Sequence, residues 1–297
     1  GEFEALTPYY YSTYDDEDEV IYDGNDKILV VGSGPIRIGQ GIEFDYSCVH
    51  GAWAINRLGY ESIMINNNPE TVSTDFDTSD RLYFEALHVD DVMNVIKKER
   101  PMGVILQFGG QTSLNITEDL YNRSINILGT EFQYIDMAED RERFDELLEK
   151  HHIKRPRGFT VMTTEEALKV AEEVGYPVLM RPSYVLGGQN MIIAYNEDDI
   201  VEYMAIILSQ NIENPILIDK YLMGTEIEVD AICDGDDILI PGIMQHIERA
   251  GIHSGDSIAV YPAWNLSDEM TQTIIRSSKD LALSLNTKGL VNIQYLI

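Results

Sequence analysis

A short apolar strand followed by a glycine-rich turn is the feature that most constrains the fold of this chain. Lys27–Val31 reads Lys-Ile-Leu-Val-Val, and glycines follow at 32, 34, 39 and 41. A run of this kind is typical of a buried parallel strand. Two further strands are predicted at residues 61–65 and 103–107, and two helices at residues 44–58 and 90–99. Strands that alternate with helices predict an α/β domain built on a parallel sheet.

The second half of the chain has a different pattern. A helix is predicted to start at Thr163, because Thr163 and Glu166 have the spacing of a capping box. Residues 215–218 and 226–232 are predicted strands, and polar and apolar residues alternate over the second of them, as in a strand with one buried face. Residues 234–237 read Asp-Gly-Asp-Asp and predict a hairpin turn. This half is therefore predicted to be α+β.

Charge excludes several classes of partner. The 297 residues include 51 acidic and 21 basic ones, giving a net charge of −30. Such a chain repels nucleic acid and anionic lipid. It has neither an apolar stretch of membrane-spanning length nor the pattern of a signal peptide, so we expect a cytoplasmic location. Cys48 and Cys233 lack metal or redox spacing and are predicted to be reduced core residues.

The glycine-rich turn after the first strand has two interpretations. Glycines permit tight turns and a helix N-terminus offers free N–H groups, so the turn could bind an anion. Alternatively, it only packs the strand against the helix. A dinucleotide-binding fold needs an acidic residue at the end of the second strand. Asn66, Asn67 and Asn68 occupy that place, which counts against a dehydrogenase.

Arg181 and two glycines form a candidate phosphate site. Arg181 ends an apolar strand, and Gly187 and Gly188 follow shortly after it. In so acidic a chain, the planar fork of an arginine suits a phosphate, and N–H groups of the glycines could cover it. The alternative is a surface arginine beside an ordinary hairpin turn.

Two later clusters are weaker candidates. The segment 217–222 with Glu226 could hold a purine through backbone groups and a ribose through the carboxylate, although an exposed acid is usually only solvated. In the polar loop 251–255, His253 could approach a γ-phosphate and stabilise transferring charge. A lone loop histidine is more often a surface residue.

Together and in this order, the clusters resemble the ATP-grasp superfamily and, within it, the carbamoyl-phosphate synthase large chain family. The segments that carry the resemblance are Gly32-Ser-Gly-Pro-Ile-Arg-Ile-Gly-Gln-Gly41 with 43–46, 68–75, 109–111, 138–144, 181–188 and His253-Ser-Gly-Asp256. The resemblance implies a parallel-sheet α/β lead domain, called pre-ATP-grasp, followed by an α+β ATP-grasp domain. We expect the second domain to be incomplete, because the sequence stops before the family's Glu-x-Asn metal-binding strand.

The resemblance also implies a domain division. We predict four segments: a tail of a preceding oligomerisation domain or a linker at 1–24, the pre-ATP-grasp domain at 25–137, the small ATP-grasp subdomain at 138–214 and the truncated large subdomain at 215–297.

The family's large chain has two similar halves, each with an ATP site. The first half phosphorylates bicarbonate, and the second phosphorylates carbamate to carbamoyl phosphate. Residues 8–14 are similar to the stretch that closes the oligomerisation domain, which precedes the second half. Residues 68–81 resemble the second-half version of that loop. The resemblance therefore implies the carbamate-phosphorylating half, in a pathway to pyrimidines or arginine that the sequence leaves open.

Cofactors and partners follow from the same resemblance. ATP and Mg²⁺ (or Mn²⁺) are implied, with K⁺ as a further candidate. The implied partners are carbamate, the remainder of the large chain and a glutaminase small subunit, with glutamine or ammonia as the nitrogen source. No nucleic acid or membrane partner is expected.

Residue roles are carried over by matching positions. Arg181 and His253 are expected to act on the transferring phosphate, and Gln294 to bind metal. Lys220 stands where some relatives carry His beside the adenine, in a contact expected to be mostly backbone. The expected nucleotide-site residues are Arg141, Arg181, Gly187, Gly188, Lys220, Leu222, Glu226, Gly251, Ile252, His253, Ser254 and Gln294.

Three other functions stay open on the sequence. One is another ATP-grasp carboxylase or ligase of the biotin-carboxylase type, although that group more often has Lys in place of Arg181. The second is a module that binds ATP without turnover, which phosphate-release assays would distinguish. A dehydrogenase is the third. If the chain is the expected enzyme, we predict that these 297 residues alone are inactive, because the charged metal ligands of the family lie beyond Ile297.

Overall fold

A computed structural model describes residues 9–37, 40–182, 191–209, 215–248, 250 and 257–297. The chain divides into two compact units. The first runs to Arg141 and includes Leu285–Gly289, and the second comprises Glu142–Ser284 and Leu290–Ile297.

The first unit is built on a five-stranded sheet in the order β3-β2-β1-β4-β5. Its strands are β1 (Lys27–Val31), β2 (Glu61–Asn66), β3 (Arg81–Phe84), β4 (Gly103–Ile105) and β5 (Ile127–Leu128). Every pair is parallel, which confirms the predicted sheet. The third predicted strand ends at Ile105 and not at residue 107, because Gln107–Gly109 forms a 3₁₀ turn.

Helices cover both faces of this sheet. They are α1 (Glu43–Arg57), α2 (Val89–Glu99), α3 (Gly110–Leu114), α4 (Thr117–Asn122) and α5 (Phe132–Glu139). On one face, Cys48 and Ile55 of α1 pack with Val30. On the other, Val92 of α2 packs with Leu29. Because successive strand residues point to opposite faces, each strand serves both layers and reads as continuously apolar.

A buried ion cluster lies where β1, β2 and β3 begin. The side chains of Lys27 and Glu99 are fully buried and 2.9 Å apart. Arg81 lies 3.0 Å from Glu99, and the Tyr83 hydroxyl donates to the same carboxylate. Burial alone would lower the pKa of Lys27, but hydrogen bonds to Asp23 and Glu99 outweigh it and raise that pKa. Lys27 is therefore a permanent buried cation that depends on its acidic neighbours.

The same cluster fastens the N-terminal segment to the sheet. Asp23 lies 2.8 Å from the Lys27 ammonium and also contacts Arg81. Further along the segment, the Tyr10 N–H donates to the Leu82 carbonyl (2.8 Å), extending the edge of β3. The described part of the predicted 1–24 segment therefore packs on the first unit.

The second unit contains two antiparallel sheets. The first has the order β6-β9-β7-β8, with β6 at Gly158–Val161, β7 at Val178–Pro182, β8 at Ile192–Ala194 and β9 at Ile216–Lys220. Its helices are α6 (Arg141–Lys150, of which Arg141 is counted with the first unit), α7 (Thr164–Val174) and α8 (Glu197–Ser209). The predicted capping box of α7 is confirmed: Thr163 Oγ1 accepts from the Glu166 N–H, and the Glu166 carboxylate accepts from the Thr163 N–H.

The second sheet has the order β12-β11-β10-β13 and is accompanied by helix α9 (Asp268–Ser284). Its strands are β10 (Glu226–Asp234), β11 (Ile238–His246), β12 (Ala259–Val260) and β13 (Lys288–Leu296). Ile227 and Val229 pack with Ile274 of α9, so the intervening acidic residues of β10 lie on the opposite face. Asp234 Oδ1 accepts from the Asp236 and Asp237 N–H groups, which confirms the predicted hairpin turn.

Three further features bear on the sequence predictions. Cys48 and Cys233 are both buried and free, as expected. None of the helices in the described ranges has the length and apolar character needed to span a membrane. Strand β9 follows the predicted boundary at 214 but lies in the first sheet of the second unit. The three predicted domain boundaries stay predictions.

Candidate active site

Half of the expected site residues can be placed. Gly187, Gly188, Gly251, Ile252, His253 and Ser254 lie outside the described residues. Arg141 is the first residue of α6. The other five all belong to the second unit: Arg181 in β7, Lys220 at the end of β9, Leu222 in the connector after it, Glu226 at the start of β10, and Gln294 in β13.

Arg181 lies on the solvent side of its sheet. Its neighbours in β7, Met180 and Pro182, are buried in the core, and Arg181 itself is exposed. Because side chains alternate along a strand, the Arg181 guanidinium points away from that core. The register places Arg181 opposite Leu217 of β9. An exposed guanidinium beside a strand end can bind two oxygens of a phosphate at once.

The Lys220 side chain is engaged in a structural contact. Its ammonium donates to the carbonyls of Gly175 (2.9 Å) and Tyr176 (2.8 Å), at the C-terminal end of α7. Helix C-termini leave carbonyls unsatisfied and attract cations. The Lys220 ammonium therefore fastens β9 to α7, and its expected contact beside an adenine stays a prediction for the backbone.

This contact gives a stability prediction. Lys220→Met is expected to lower the free energy of unfolding by about 1–2 kcal/mol, because two carbonyls lose a charged donor. Thermal or urea unfolding of the chain measures the change. Lys169→Met, at an exposed position on α7, is the matched control and should change stability by less than about 0.5 kcal/mol. Equal effects of the two substitutions would contradict the capping role.

The connector that carries Leu222 is fastened to β13. A Cβ atom at Gly224 would lie 2.4 Å from the Ile297 carbonyl oxygen, so only glycine permits this approach. Thr225 and Ile297 exchange both backbone hydrogen bonds, at 2.9 and 3.0 Å. Leu222 is 42% exposed in the connector. The start of β10, with Glu226, is therefore fixed beside the strand that carries Gln294.

A polar face surrounds Gln294. Glu228 Oε2 accepts from His246 Nε2 (2.8 Å), and Glu228 Oε1 accepts from Asn292 Nδ2 (2.7 Å). The Gln294 side chain makes a further, weaker contribution at the same carboxylate. Burial alone would raise the pKa of the Glu228 carboxyl, but these hydrogen bonds outweigh it and lower that pKa. Glu228 is therefore ionised at neutral pH, on the same face as Glu226 and Gln294.

The donor set of this face fits a hard cation. Mg²⁺ prefers oxygen ligands and is usually held by one or two carboxylates together with phosphate oxygens. Gln294 offers a carboxamide oxygen, with the carboxylates of Glu226 and Glu228 on the same face. Among the described residues, no three His, Cys, Asp or Glu side chains are arranged to hold a metal ion. Both Glu228 oxygens accept hydrogen bonds from His246 and Asn292. The described part of this acidic face thus supplies the Gln294 oxygen as a ligand and not a closed cage.

Two residues flank the segment that contains His253. Glu248 Oε2 accepts from Ser257 Oγ (2.7 Å) and from the Ile258 N–H (2.8 Å). These hydrogen bonds, the one from Ser257 first, lower the pKa of the Glu248 carboxyl. The Ile247 N–H also donates to the Ile258 carbonyl (2.9 Å). The two ends of the segment are therefore held together at its base.

In the first unit, the glycine-rich turn is held by a buried amide. Asn66 is fully buried, and its Oδ1 accepts from the N–H groups of Gly34 (3.0 Å) and Asn67 (2.9 Å). Its Nδ2 donates to Ser73 Oγ (3.2 Å). The residue that replaces the acid of a dinucleotide site therefore ties the turn to the following loop.

The sequence analysis missed the partners of Gln294. Glu228, His246 and Asn292 lie on its face of the sheet, and none was singled out. One signal was present: Glu226, Glu228 and Asp230 occupy alternate positions of a strand whose other face is apolar. Three acids on one strand face suggest a cation or a set of hydrogen-bond donors opposite them.

The fold defines the class of protein. Over 92% of this chain and 62% of the other, it is similar to a biotin carboxylase from Campylobacter jejuni solved with a β,γ-ATP ligand, with a TM-score of 0.70 and 16% identity. A 2-oxoglutarate carboxylase biotin-carboxylase domain from Hydrogenobacter thermophilus, solved with MgADP and bicarbonate, is similar over 92% of this chain and 61% of that one (TM-score 0.68, 18% identity). At such identities the likeness shows fold alone: a pre-ATP-grasp domain followed by an ATP-grasp domain.

Sequence comparison gives the family. Residues 24–137 match the family described as carbamoyl phosphate synthase preATP-grasp domain, and residues 140–297 match the carbamoyl-phosphate synthase L chain, ATP binding domain. The carbamoyl phosphate synthase large chain of Clostridium acetobutylicum is 58% identical over 296 residues, which cover 100% of this chain. The chain belongs to the carbamoyl-phosphate synthase large chain family. It spans 28% of the length of that relative.

Proposed function

We propose that this chain is the carbamate-phosphorylating, second half of a carbamoyl-phosphate synthase large chain. The family match supports an ATP-dependent step. The observation that carries the proposal is the placement of Arg181, Glu226 and Gln294 in one ATP-grasp unit, at positions that match the family's nucleotide and metal residues. The finer choice of half rests on residues 8–14 and 68–81, which resemble second-half segments.

In the proposed reaction, an oxygen of carbamate attacks the γ-phosphorus of ATP in line, and ADP leaves. The Arg181 guanidinium would bind phosphate oxygens, and His253 would stabilise charge on the transferring group. Glu226 would accept from the ribose hydroxyls. Gln294, through its amide oxygen, would hold Mg²⁺, which neutralises the triphosphate when bound. Both cysteines are buried, and the proposed reaction requires no covalent enzyme intermediate.

The remaining predictions belong to the whole enzyme. ATP and carbamate are the proposed substrates, Mg²⁺ or Mn²⁺ the proposed metal, and the rest of the large chain with a glutaminase subunit the proposed partners. K⁺ and the cytoplasmic location stay predictions.

The likeness to biotin carboxylase is one of fold at 16–18% identity, whereas identity to the synthase relative is 58%. This difference favours the synthase over the carboxylase alternative, and the family match leaves the dehydrogenase without support.

Nucleotide binding is tested with Arg181→Ala in the complete large chain. We expect one of the two ATP sites to bind a non-hydrolysable MgATP analogue about 2 kcal/mol more weakly, roughly 30-fold, because a charged phosphate contact is lost. Calorimetry measures the change. Arg157→Ala, at an exposed position before β6, is the matched control. Unchanged affinity in Arg181→Ala would remove the phosphate role.

Catalysis is tested with His253→Asn. If His253 stabilises the transferring phosphate, turnover in carbamate phosphorylation should fall at least about 10-fold while nucleotide affinity changes less than about 3-fold. Steady-state ATP synthesis from ADP and carbamoyl phosphate, together with calorimetry, separates the two effects. Activity equal to that of the unsubstituted enzyme would leave His253 as a surface residue only, and no phosphoryl transfer in either protein would favour a non-catalytic nucleotide-binding module.

A further inference from the structure

The two ends of a glutamine side chain are chemically different. The carboxamide oxygen accepts hydrogen bonds and can bind a metal, whereas the NH₂ group only donates. A glutamine therefore serves as a metal ligand only when its oxygen faces the metal. Gln294 is exposed on the polar face of the second sheet, so its orientation must be set by hydrogen bonds and not by close packing.

The register of β10 and β13 identifies the residue that faces Gln294. Thr225 and Ile297 exchange both N–H···O bonds, at 2.9 and 3.0 Å, which is the signature of an antiparallel pair. Moving three residues along each strand from this pair places Glu228 opposite Gln294. Side chains of directly opposed residues lie on the same face and within contact distance. The weaker contribution of Gln294 at the Glu228 carboxylate agrees with this register.

A hydrogen bond between these two opposed side chains has only one possible polarity. A carboxylate accepts and does not donate, so the bond to Glu228 must come from the NH₂ group of Gln294. The carboxamide oxygen then points away from Glu228.

Glu228 is itself held from two sides. His246 Nε2 donates to one of its oxygens at 2.8 Å, and Asn292 Nδ2 donates to the other at 2.7 Å. The side chain of His246 is 2% exposed and that of Glu228 is 15% exposed. The Glu228 carboxylate is therefore a fixed acceptor with both oxygens engaged. This suits it to orient the neighbouring Gln294 side chain and not to act as a metal ligand itself.

We propose that Glu228, fixed by His246 and Asn292, is a positioning residue that turns the carboxamide oxygen of Gln294 toward the metal. The inference rests on the proposed function, in which Gln294 is a metal ligand. Outer partners of metal ligands commonly change metal affinity by about 10- to 100-fold when removed.

The test uses Mn²⁺ as the probe, in the complete large chain with ADP present. Glu228→Gln is expected to weaken one class of Mn²⁺ sites by about 10-fold or more, measured from free Mn²⁺ by electron paramagnetic resonance. A glutamine at 228 can donate to the oxygen of Gln294 and turn its NH₂ group toward the metal. Affinity for ADP without metal should change less than about 3-fold.

Asp230→Asn is the matched control. Asp230 also accepts from Asn292, at 2.7 Å, but lies on the strand opposite Asn292 and not opposite Gln294. The Asp230→Asn substitution should leave the Mn²⁺ affinity within about 3-fold of that of the unsubstituted chain. Asn292→Ala, at an exposed position, removes one bond that fixes Glu228 and should weaken Mn²⁺ binding in the same direction, which keeps the test decisive if Glu228→Gln does not fold.

A second substitution separates orientation from general damage. Glu228→Gln combined with Gln294→Glu should recover Mn²⁺ affinity, because a carboxylate presents an oxygen in either orientation. Failure of this recovery, or unchanged Mn²⁺ binding in Glu228→Gln while Gln294→Ala weakens it, would overturn the positioning role alone. Unchanged Mn²⁺ binding in Gln294→Ala would instead show that the metal site of the proposed function is wrong, and the positioning role with it.

Discussion

Replacing Glu99 by leucine is expected to destabilise the first unit by about 3–5 kcal/mol. Glu99 is fully buried and accepts from Lys27, Arg81 and Tyr83. Without it, the buried Lys27 ammonium keeps the Asp23 carboxylate, whose side chain is 31% exposed, and a contact with the Tyr22 ring 5.3 Å away. An uncompensated buried charge costs far more than the net stability that the intact pair contributes. The effect should therefore come from the stranded cation and not from lost packing.

Urea unfolding followed by tryptophan fluorescence measures this change. The chain has two tryptophans, and in a Trp264→Phe background Trp53 of α1 reports on the first unit alone. The matched control is Lys98→Met, at the position that precedes Glu99 on α2. It breaks only the exposed contact of Lys98 with Asp18 and should cost less than about 1 kcal/mol.

A double substitution tests the physical reason. Lys27→Met combined with Glu99→Leu removes both charges and should recover at least half of the stability lost in Glu99→Leu, since apolar replacements of a buried pair are often neutral. A loss below about 1 kcal/mol in Glu99→Leu, or no recovery in the double variant, would contradict the account of this cluster.

The 297-residue polypeptide is expected to form no ATP from ADP and carbamoyl phosphate. Gln294, the metal ligand of the proposed function, is a neutral residue. Phosphoryl transfer depends on metal ions that neutralise the β- and γ-phosphates, and hard cations need carboxylates to hold them there. We expect rates at background level for this polypeptide, and activity when the family's Glu-x-Asn strand is joined to it.

A coupled assay for ATP measures this difference. The complete large chain is the positive control, and the extended polypeptide with its Glu-x-Asn acid replaced by glutamine is the matched negative one. Robust ATP formation by the 297 residues alone would show that the metal-site assignment is wrong.

The sequence predicted the elements whose burial pattern is simple. β1, α1 and β2 were found within one residue of their bounds, because continuous apolar runs mark strands buried on both faces. β3 was not predicted: it has four residues and begins with Arg81, and its place in the sheet depends on the buried acid Glu99. Charged residues are expected at the surface, so a core ion cluster is invisible in a composition pattern.

For the site, the sequence indicated single residues and not their contacts. Arg181 was found from its place at a strand end in an acidic chain and Gln294 by matching positions, while Glu228 and His246 were missed. Their hydrogen bond joins β10 to β11 across the sheet, and the register that brings them together depends on the hairpin turn at Asp234. β11 continues past Pro241 and Gly242 to His246, with Gly242 paired to Asp230. Proline and glycine weaken a strand pattern in a sequence, so the place of His246 in the sheet was not apparent.

The most direct test of the central proposal compares two partial reactions in a complete large chain that carries Arg181→Ala. One is ATP synthesis from ADP and carbamoyl phosphate, and the other is bicarbonate-dependent ATP hydrolysis. If this sequence is the carbamate-phosphorylating half, ATP synthesis should fall at least about 10-fold while bicarbonate-dependent hydrolysis stays within about 2-fold. The opposite pattern, with hydrolysis lost and ATP synthesis retained, would contradict the proposal and assign the chain to the bicarbonate-phosphorylating half.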